Sequence, residues 1–281
     1  MKLDRGALDA HPLPPVIDGE KETKGRILVI AGSREVPGAA LLTATAAMRA
    51  GAGKLRIATV ESVAVELGVV MPEAMVAGVP EDDGGFAASA VESLAEQAQD
   101  VDAVVAGPGV KRNAACRPLA RALLKSEVPI ALDVALLKAL TQQDESRGIA
   151  PVLLPDKDEL ASLLDCDEGE IERDRVGCGR RAADRYRSIV LVKGVTSHVV
   201  CPDGDFWTYE GGAPGLGVSG SGDVLAGIVG GLLARGAEPL NALLWAVWLH
   251  GEAGAQLAKK IGPIGFLARE IADEIPALLP R

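Results

Sequence analysis

The residues best suited to chemistry lie in a glycine-rich segment, 211–236, that contains a single carboxylate, Asp223. Six glycines precede Asp223, and an apolar run with helical spacing follows it. A glycine-rich loop that runs into a helix can hold an anion, because its backbone N–H groups are unobstructed and the helix dipole adds positive partial charge. Asp223 would repel that anion, but it could accept the proton of a hydroxyl that attacks a phosphoryl group. The segment therefore predicts phosphoryl transfer with Asp223 as the base.

A purely structural interpretation of the same segment stays open at this stage. The glycines could serve close packing, and Asp223 could be a simple N-cap of the helix that follows. In either case Gly236 is the predicted cap at the other end of that helix.

Glycines and polar residues also follow the other predicted strands at their carboxyl ends. In an open α/β sheet these loops meet at one edge, where ligands bind. Lys193 could contact a phosphate there, and Thr196 a base or a ribose. Glycines, carboxylates and a lysine at one edge indicate a site for a polyphosphate and a polar co-substrate. The residues concerned are Gly32, Ser33, Gly107, Pro108, Gly109, Asp133, Asp156, Glu159, Lys193, Gly194 and Thr196.

Alternating strands and helices must position these loops. Strands are predicted at 26–31, 54–60, 74–79, 102–106, 129–133, 151–155 and 188–193, followed by a hairpin with arms at 197–201 and 206–209. Besides the helix near Asp223, helices are predicted at about 40–50, 62–68, 86–98, 113–125, 157–164, 168–187, 239–260 and 264–275. This alternation predicts a single α/β domain with a doubly wound, mostly parallel sheet flanked by helices.

Composition narrows the functional classes. The 281 residues carry a formal net charge of −10, which argues against a nucleic-acid partner because phosphate backbones need a basic face. No apolar run is long enough to span a bilayer, and the first residues lack an apolar signal region, so we expect no membrane association and a cytoplasmic location. The four cysteines show no zinc-site spacing.

Residues 1–24, rich in charge and proline, are predicted to form an N-terminal arm beside a domain at 25–281.

Several stretches resemble a known family. Lys193-Gly-Val-Thr196 and Gly215-Leu-Gly-Val-Ser-Gly-Ser-Gly-Asp-Val-Leu-Ala-Gly227 are similar to segments of the ATP/ADP-dependent NAD(P)H-hydrate dehydratases, a branch of the ribokinase-like superfamily. The glycine loop with its Asp is common to the superfamily, whereas Arg49-Ala-Gly-Ala-Gly53 and the C-terminal pieces are more specific to the dehydratases. Other matching pieces are Gly38-Ala39, Gly107-Pro-Gly109, Leu132-Asp133, His250-Gly251, Gly265-Phe-Leu-Ala268 and Ile275-Pro276.

The resemblance implies a ribokinase-like fold and the repair of a damaged cofactor. Members use ATP or ADP to dehydrate hydrated NADH and NADPH: the ring hydroxyl is phosphorylated, and loss of phosphate restores the double bond. Asp223 would take the hydroxyl proton, while the N–H groups of Gly220, Ser221 and Gly222 hold the charge of the transferred group. Mg²⁺ is expected with the phosphates, without an assigned protein ligand, and a homo-oligomer is expected because members often are oligomers. Nucleotide-binding positions are matched by Lys193, Gly194, Val195, Thr196, Ser197 and Gly222, and hydrate-contacting positions by Ala39, Gly109 and Asp223.

The chain departs from the family's pattern on the acceptor side. The family's Asp-x-Asp-Ala-Leu-Asn reads Asp133-Val-Ala-Leu-Leu-Lys138, so Ala135 replaces a carboxylate and Lys138 an asparagine. Its His-Pro-Gly-Glu reads Asp156-Lys-Asp-Glu159, which makes Asp156 the substrate-binding candidate in place of a histidine. Val36 stands where an aromatic residue is often found. The acceptor side is thus changed more than the nucleotide side.

Two other functions stay open. One is a small-molecule kinase of the same superfamily, which would phosphorylate a sugar or vitamin-like alcohol with the same Asp223 and stop there. The other is a catalytically weak paralogue that only binds a nucleotide. The presence of Asp223 argues against the second, because a protein that only binds nucleotide has no need of a base at that position.

Overall fold

The computed structural model describes residues 1–15, 24–140 and 147–280. Its strands are β1 (Arg26–Ile30), β2 (Lys54–Val60), β3 (Ala74–Val79), β4 (Glu81–Asp82), β5 (Gly85–Phe86), β6 (Ala103–Ala106), β7 (Ile130–Leu132), β8 (Val152–Leu153), β9 (Ile189–Val192), β10 (Ser197–Val200) and β11 (Phe206–Tyr209). Nine of them form one sheet in the order β11-β10-β9-β8-β7-β6-β1-β2-β3, and β4 pairs with β5 alone. Every pairing between neighbours from β9 to β3 is parallel. At the other edge β10 is antiparallel to both of its neighbours, β9 and β11. The predicted mostly parallel sheet is confirmed.

Helices cover both faces of the sheet. They are α1 (Gly38–Arg49), α2 (Glu61–Val70), α3 (Ala90–Gln97), α4 (Cys116–Leu124), α5 (Lys157–Leu164), α6 (Glu168–Arg173), α7 (Arg175–Tyr186), α8 (Ser221–Ala234), α9 (Pro239–Lys260) and α10 (Ala268–Leu278). One apolar core lies between the sheet and α1, α8, α9 and α10, and a second lies between the opposite face and α3, α4, α5 and α7. The strands that separate the two cores are buried on both sides, which is why they are apolar at nearly every position.

Glycines determine how closely α8 approaches its neighbours. A Cβ at Gly230 would overlap Val105 of β6, and a Cβ at Gly227 would overlap the Thr43 carbonyl of α1. The predicted packing role of glycines is therefore correct for this helix. Gly236 ends α8 as predicted: it has φ +88°, and the N–H groups of Gly236 and Ala237 donate to the carbonyls of Leu233 and Leu232, the Schellman pattern. The helix is thereby held against the sheet, with its N-terminus at the carboxyl edge of the strands.

Three predicted helices have wrong boundaries. The helix predicted over 168–187 is two helices, because the backbone of Asp174 leaves the helical region and its side chain caps α7 by accepting from Gly177 N. The helix predicted to begin at 86 begins at 90, because Gly85–Phe86 pairs with β4. The last helix begins at 268 rather than 264 and continues through Pro276 to Leu278.

The first residues pack against the antiparallel edge of the sheet. Leu3 N donates to Thr208 O and Thr208 N to Met1 O, so the start of the chain extends the sheet beyond β11. Leu8 is fully buried, and the Trp245 ring of α9 donates to the His11 carbonyl. Among the described residues, no helix combines the length and apolar character needed to cross a membrane.

Candidate active site

The N-terminus of α8 is a turn that presents backbone donors. Gly220 is its N-cap, with φ +88°, a left-handed backbone conformation that favours glycine. The Ser221 N–H donates to Val218 O at 3.2 Å, whereas for the N–H groups of Gly222 and Asp223 the described residues provide no acceptor. With the helix dipole behind them, these two donors can bind an anion.

Asp223 is the third residue of α8 and does not cap it, since Gly220 holds the N-cap position. Its carboxylate is half-buried. Burial raises the pKa of Asp223 to about 6; the charge of Asp133 adds to the shift and that of Lys193 opposes it. Such a carboxylate is ionised at neutral pH and yet a stronger base than an ordinary aspartate. The Asp223 carbonyl accepts from Thr43 Oγ1 at 3.1 Å, which ties this turn to α1.

Lys193, which follows β9, reaches toward the same turn. Its Nζ donates to Asp133 Oδ1 at 3.1 Å and lies 3.8 Å from the position that a Cβ of Gly222 would occupy. Asp133, which follows β7, is 1% exposed and also accepts from Val134 N. Burial lowers the pKa of Lys193, but the charges of Asp133 and Glu159 outweigh that effect, and the net shift is upward. The ammonium is therefore a positive charge held next to the anion-binding turn.

Two carboxylates at the N-terminus of α5 lie beside this ion pair. Asp156 Oδ1 accepts from Glu159 N at 2.8 Å and Glu159 Oε2 accepts from Asp156 N at 2.9 Å, which is a capping box. Burial raises the pKa of Glu159 to about 7, so this group is only partly ionised at neutral pH. Asp156 is exposed, and its charge acts on Asp133, Glu159 and Lys193. Asp156 thus combines a structural role in the cap with a carboxylate that faces the site.

Ala39 and Gly109, predicted to contact a substrate, lie against each other. Gly109 has φ +63°, and a Cβ there would come within 2.5 Å of Ala39 Cβ and 2.9 Å of the Val36 carbonyl. The loops after β1 and β6 are joined by a hydrogen bond from Gly32 N to Pro108 O at 2.8 Å. The first turn of α1 and the loop after β6 therefore form one surface, on which the side chain of Val36 is 50% exposed.

The loop between β9 and β10 continues outward from Lys193. Val195 at its tip is 95% exposed, and Thr196 and Ser197 are partly exposed. Ser197 Oγ donates to Gly194 O at 3.3 Å, which closes the loop as a compact turn. The loop therefore joins Lys193, which lies beside α8, to an exposed tip at Val195.

His250 of α9, for which the sequence favours a structural role over a catalytic one, contacts the start of α8. Its Nε2 lies 3.0 Å from Ser221 Oγ and 3.1 Å from Ser221 O, so it anchors the first residue of α8. Burial lowers the pKa of His250 to about 4, which keeps the ring neutral at pH 7. The pairing of Asp133 with Lys193 was also not predicted. Both contacts join residues far apart in the chain, and no local pattern could have revealed them.

A doubly wound sheet with a glycine turn and an aspartate at the head of a buried helix defines the ribokinase-like class. Within that class, the sequence pattern of the NAD(P)H-hydrate dehydratase family matches residues 27–277. The chain belongs to this family.

Individual relatives agree with this assignment. The chain is 43% identical over 276 residues to an ADP-dependent (S)-NAD(P)H-hydrate dehydratase of Xanthomonas campestris. The match covers 98% of this chain and 94% of the relative. It is also 34% identical to a bifunctional NAD(P)H-hydrate repair enzyme of Moorella thermoacetica. That match covers 93% of this chain and 50% of the length of the relative. Its fold matches the ADP/ATP-dependent NAD(P)H-hydrate dehydratase of Bacillus subtilis, crystallised with ATP/Mg²⁺, with a TM-score of 0.85 at 28% identity and coverage of 99% and 96%.

Proposed function

We propose that this protein restores NADH and NADPH from their hydrated forms by ADP- or ATP-dependent dehydration, a metabolite-repair reaction of the carbon–oxygen lyase type. The observation that carries the proposal is the position of Asp223, a carboxylate of raised pKa beside the backbone donors of Gly222 and Asp223 itself. A base next to an anion-binding turn is the arrangement that transfer of a phosphoryl group to a hydroxyl requires. Family membership supports this choice over other reactions of the ribokinase-like class.

In the proposed reaction Asp223 accepts the proton of the ring hydroxyl, whose oxygen then forms a bond to the terminal phosphorus of the nucleotide. The bond between that phosphorus and the bridging oxygen breaks, and the shortened nucleotide leaves. The N–H groups at the start of α8 and the Lys193 ammonium stabilise the negative charge of the group in transfer. In the second step the ring C–O bond breaks, phosphate departs, and a proton leaves the adjacent ring carbon, which restores the double bond.

The nucleotide is assigned to Lys193, Gly194, Val195, Thr196, Ser197, Gly220, Ser221 and Gly222, and the hydrate to Ala39, Gly109, Asp156 and Asp223. The loop after β9 meets α8 near Gly222, and Ala39 is in the first turn of α1, which packs against α8. The Ser221 N–H is already donated within the protein, so its part is to orient the turn. Gly220, Gly222 and Asp223 supply the donors, since the described residues provide no acceptor for their N–H groups.

Mg²⁺ would reach this site on the phosphates of the nucleotide. In the part of the chain that the structure describes, no group of three or more His, Cys, Asp or Glu residues could hold an ion alone. Mg²⁺ bound to nucleotides commonly takes only one or two carboxylates from the protein, so the oxygen donors at this edge fit that mode. Asp133 and Glu159 are engaged with Lys193 and Asp156 N, and Oδ1 of Asp156 accepts from Glu159 N, so the second carboxylate oxygen of the exposed Asp156 would hold the ion. Its chemistry would be to neutralise phosphate charge.

A small-molecule kinase is the second candidate, and the acceptor side favours it. Asp156 and Ala135 stand where the family's pattern has a histidine and a carboxylate, so a different alcohol could be accepted there. A kinase would use the same Asp223 and would stop after the first of the two steps.

We further propose that the protein works in the cytoplasm as a homo-oligomer. Cys116, Cys178 and Cys201 are buried free thiols, which accords with a reducing compartment. Three valines of α2, namely Val65, Val69 and Val70, are more than half exposed and form an apolar surface that a second copy could cover. Light scattering should then give a mass above that of one chain, and a monomer would contradict the proposal.

The test of the function is the recovery of NADH absorbance from hydrated NADH with Mg²⁺ and ADP, ATP or no nucleotide. We expect recovery with a nucleotide only, and none with the Asp223→Asn variant. ATP consumption on another alcohol without NADH recovery would establish the kinase instead. Failure to bind ADP or ATP would overturn both candidates.

A further inference from the structure

We propose that Arg175 is a further nucleotide-binding residue, and that its guanidinium contacts the phosphate chain of the bound ADP or ATP. This inference rests on the proposed function, because it adds a ligand to the nucleotide site assigned there. Nothing in the sequence motifs pointed to Arg175, which falls inside the stretch predicted as one long charged helix.

The break between α6 and α7 brings Arg175 to the site. Because Asp174 caps a new helix, Arg175 is the first residue of α7, a helix that packs beside β9 and β10. Its side chain lies against the loop that joins those two strands. Nη1 occupies the space that a Cβ of Gly194 would need, and Cζ lies 3.0 Å from that position. The absence of a side chain at Gly194 therefore lets a guanidinium rest on the nucleotide loop.

The charge around the site calls for such a cation. The charges of Asp133, Asp156 and Glu159 act on the Lys193 ammonium, which is already paired with Asp133, and that of Asp133 also acts on Asp223. Nearby lysines are also engaged: Lys138 with Asp158, and Lys157 with Glu168 and Glu172. A polyphosphate entering this edge needs a further positive charge.

Arg175 can supply that charge. Over the described ranges no carboxylate lies within ion-pair distance of its guanidinium, although the charge acts on Glu172 at longer range. The charge of Arg175 also reaches β10, where burial and this charge together lower the pKa of His198. Guanidinium groups bind phosphates through two parallel N–H donors, which is the geometry that a phosphate chain along this loop would meet.

The first test measures the dissociation constants of ADP, AMP and adenosine by calorimetry for the intact protein and two variants. Arg175→Met should bind ADP about tenfold more weakly, which corresponds to about 1.4 kcal/mol, and AMP should also be weakened. Adenosine, which lacks phosphate, should be unaffected. Arg173→Met removes the same charge from an exposed residue of α6 two positions away, and it should bind ADP like the wild type. An equal loss for adenosine would overturn the phosphate assignment, as would an equal loss in the Arg173→Met control.

The second test uses the contact itself. Gly194→Ala places a methyl group where Nη1 now lies and should displace the guanidinium without changing charge. It should weaken ADP binding in the wild type severalfold but have little further effect in Arg175→Met. Full additivity of the two substitutions would overturn the inference, since it would mean that they act independently.

Failure of this inference can be told apart from failure of the proposed function. If the wild type binds ADP and Arg175→Met binds it equally well, Arg175 is not a ligand while the proposed function stands. If the wild type binds neither ADP nor ATP, both fall. Arg175→Lys, which retains the charge but not the paired donors, should recover part of the lost affinity, and thermal unfolding of each variant shows whether it is folded.

Discussion

The proposed site has a nucleotide half and an acceptor half, and the two differ in the groups that form them. The nucleotide half consists largely of backbone: the turn at Gly220–Gly222, the loop that follows Lys193, and the dipole of α8. The proposed acceptor half comprises Ala39 and Gly109, which match the family's pattern, and Asp156, which departs from it. Recognition by backbone depends on glycines and close packing, whereas recognition by side chains changes with each substitution. The proposed nucleotide site thus depends on the fold of the backbone, and the proposed acceptor site on a few positions.

The largest effect is expected where the two halves meet. Asp223→Asn keeps the size of the side chain but removes the base, so turnover should fall by about 10²- to 10⁴-fold. Nucleotide affinity should change little, because the donors of the α8 turn belong to the backbone. Steady-state rates and ADP calorimetry measure the two quantities separately. Asp158→Asn, on the exposed side of α5, is the matched control and should leave the rate unchanged. Loss of ADP binding at an unchanged rate per bound molecule would contradict the assignment.

A second substitution tests the support of the nucleotide half. Lys193→Met leaves Asp133, which is 1% exposed, without its cation and should cost about 3 kcal/mol of unfolding free energy. Adding Asp133→Asn should restore much of that stability, because no uncompensated charge is then buried, but should not restore ADP binding. Urea unfolding at pH 7 measures the first effect and calorimetry the second. If the Lys193→Met variant were as stable as the wild type, the ion pair between Lys193 and Asp133 would not stabilise this edge of the sheet.

A third substitution addresses the acceptor half alone. Gly109→Ala would strain a backbone at φ +63° and press a methyl group against Ala39, so KM for the hydrate should rise about tenfold. The dissociation constant of ADP should stay within about twofold. Gly236→Ala carries similar backbone strain at φ +88° with open space around it, and it should lower stability but neither affinity. Equal loss of ADP binding in Gly109→Ala would show that the two halves are not separable.

The smallest predicted effect is on the pH dependence. Asp223 must be ionised to accept a proton, and its pKa is raised to about 6. The rate should therefore be constant above neutrality, about half-maximal near pH 6, and should fall about tenfold for each further pH unit below that. The charge of Asp133 contributes to the raised pKa, so Asp133→Asn should move the midpoint to lower pH. A midpoint near 4 in the wild type would mean that Asp223 is not the buried base described above.

Much of the fold followed from the sequence because its local signals agree with its tertiary structure. β2 has the predicted bounds because an apolar run between turn residues is what a largely buried strand requires. β3 also has the predicted bounds, although it lies at the edge of the sheet and is mostly half-buried or exposed. α5 also has its predicted bounds, since Asp156 and Glu159 form the capping box that starts it. The break at Asp174 was missed because a capping aspartate inside a charged run resembles any other exposed charge. The hairpin of β4 and β5 was too short to give a period.

The site was less predictable than the fold. Positions in glycine turns were identified because φ, packing and backbone donors are encoded locally. Three contacts could not be predicted from the sequence, because each joins residues that are far apart in the chain. They are Lys193 with Asp133, His250 with Ser221, and Arg175 with Gly194. The roles assigned to Asp223, to the nucleotide loop and to the acceptor residues stay predictions until they are tested as described.

The most direct test of the central claim follows the oxygen of the ring hydroxyl. Hydrated NADH labelled with ¹⁸O at that hydroxyl is incubated with ATP, Mg²⁺ and the protein, and the released phosphate and water are analysed by mass spectrometry. If Asp223 activates the hydroxyl for phosphorylation, the label must appear in inorganic phosphate, in proportion to the NADH restored, and must be lost with Asp223→Asn. Label that appears in water while NADH is restored would contradict phosphoryl transfer to the hydroxyl.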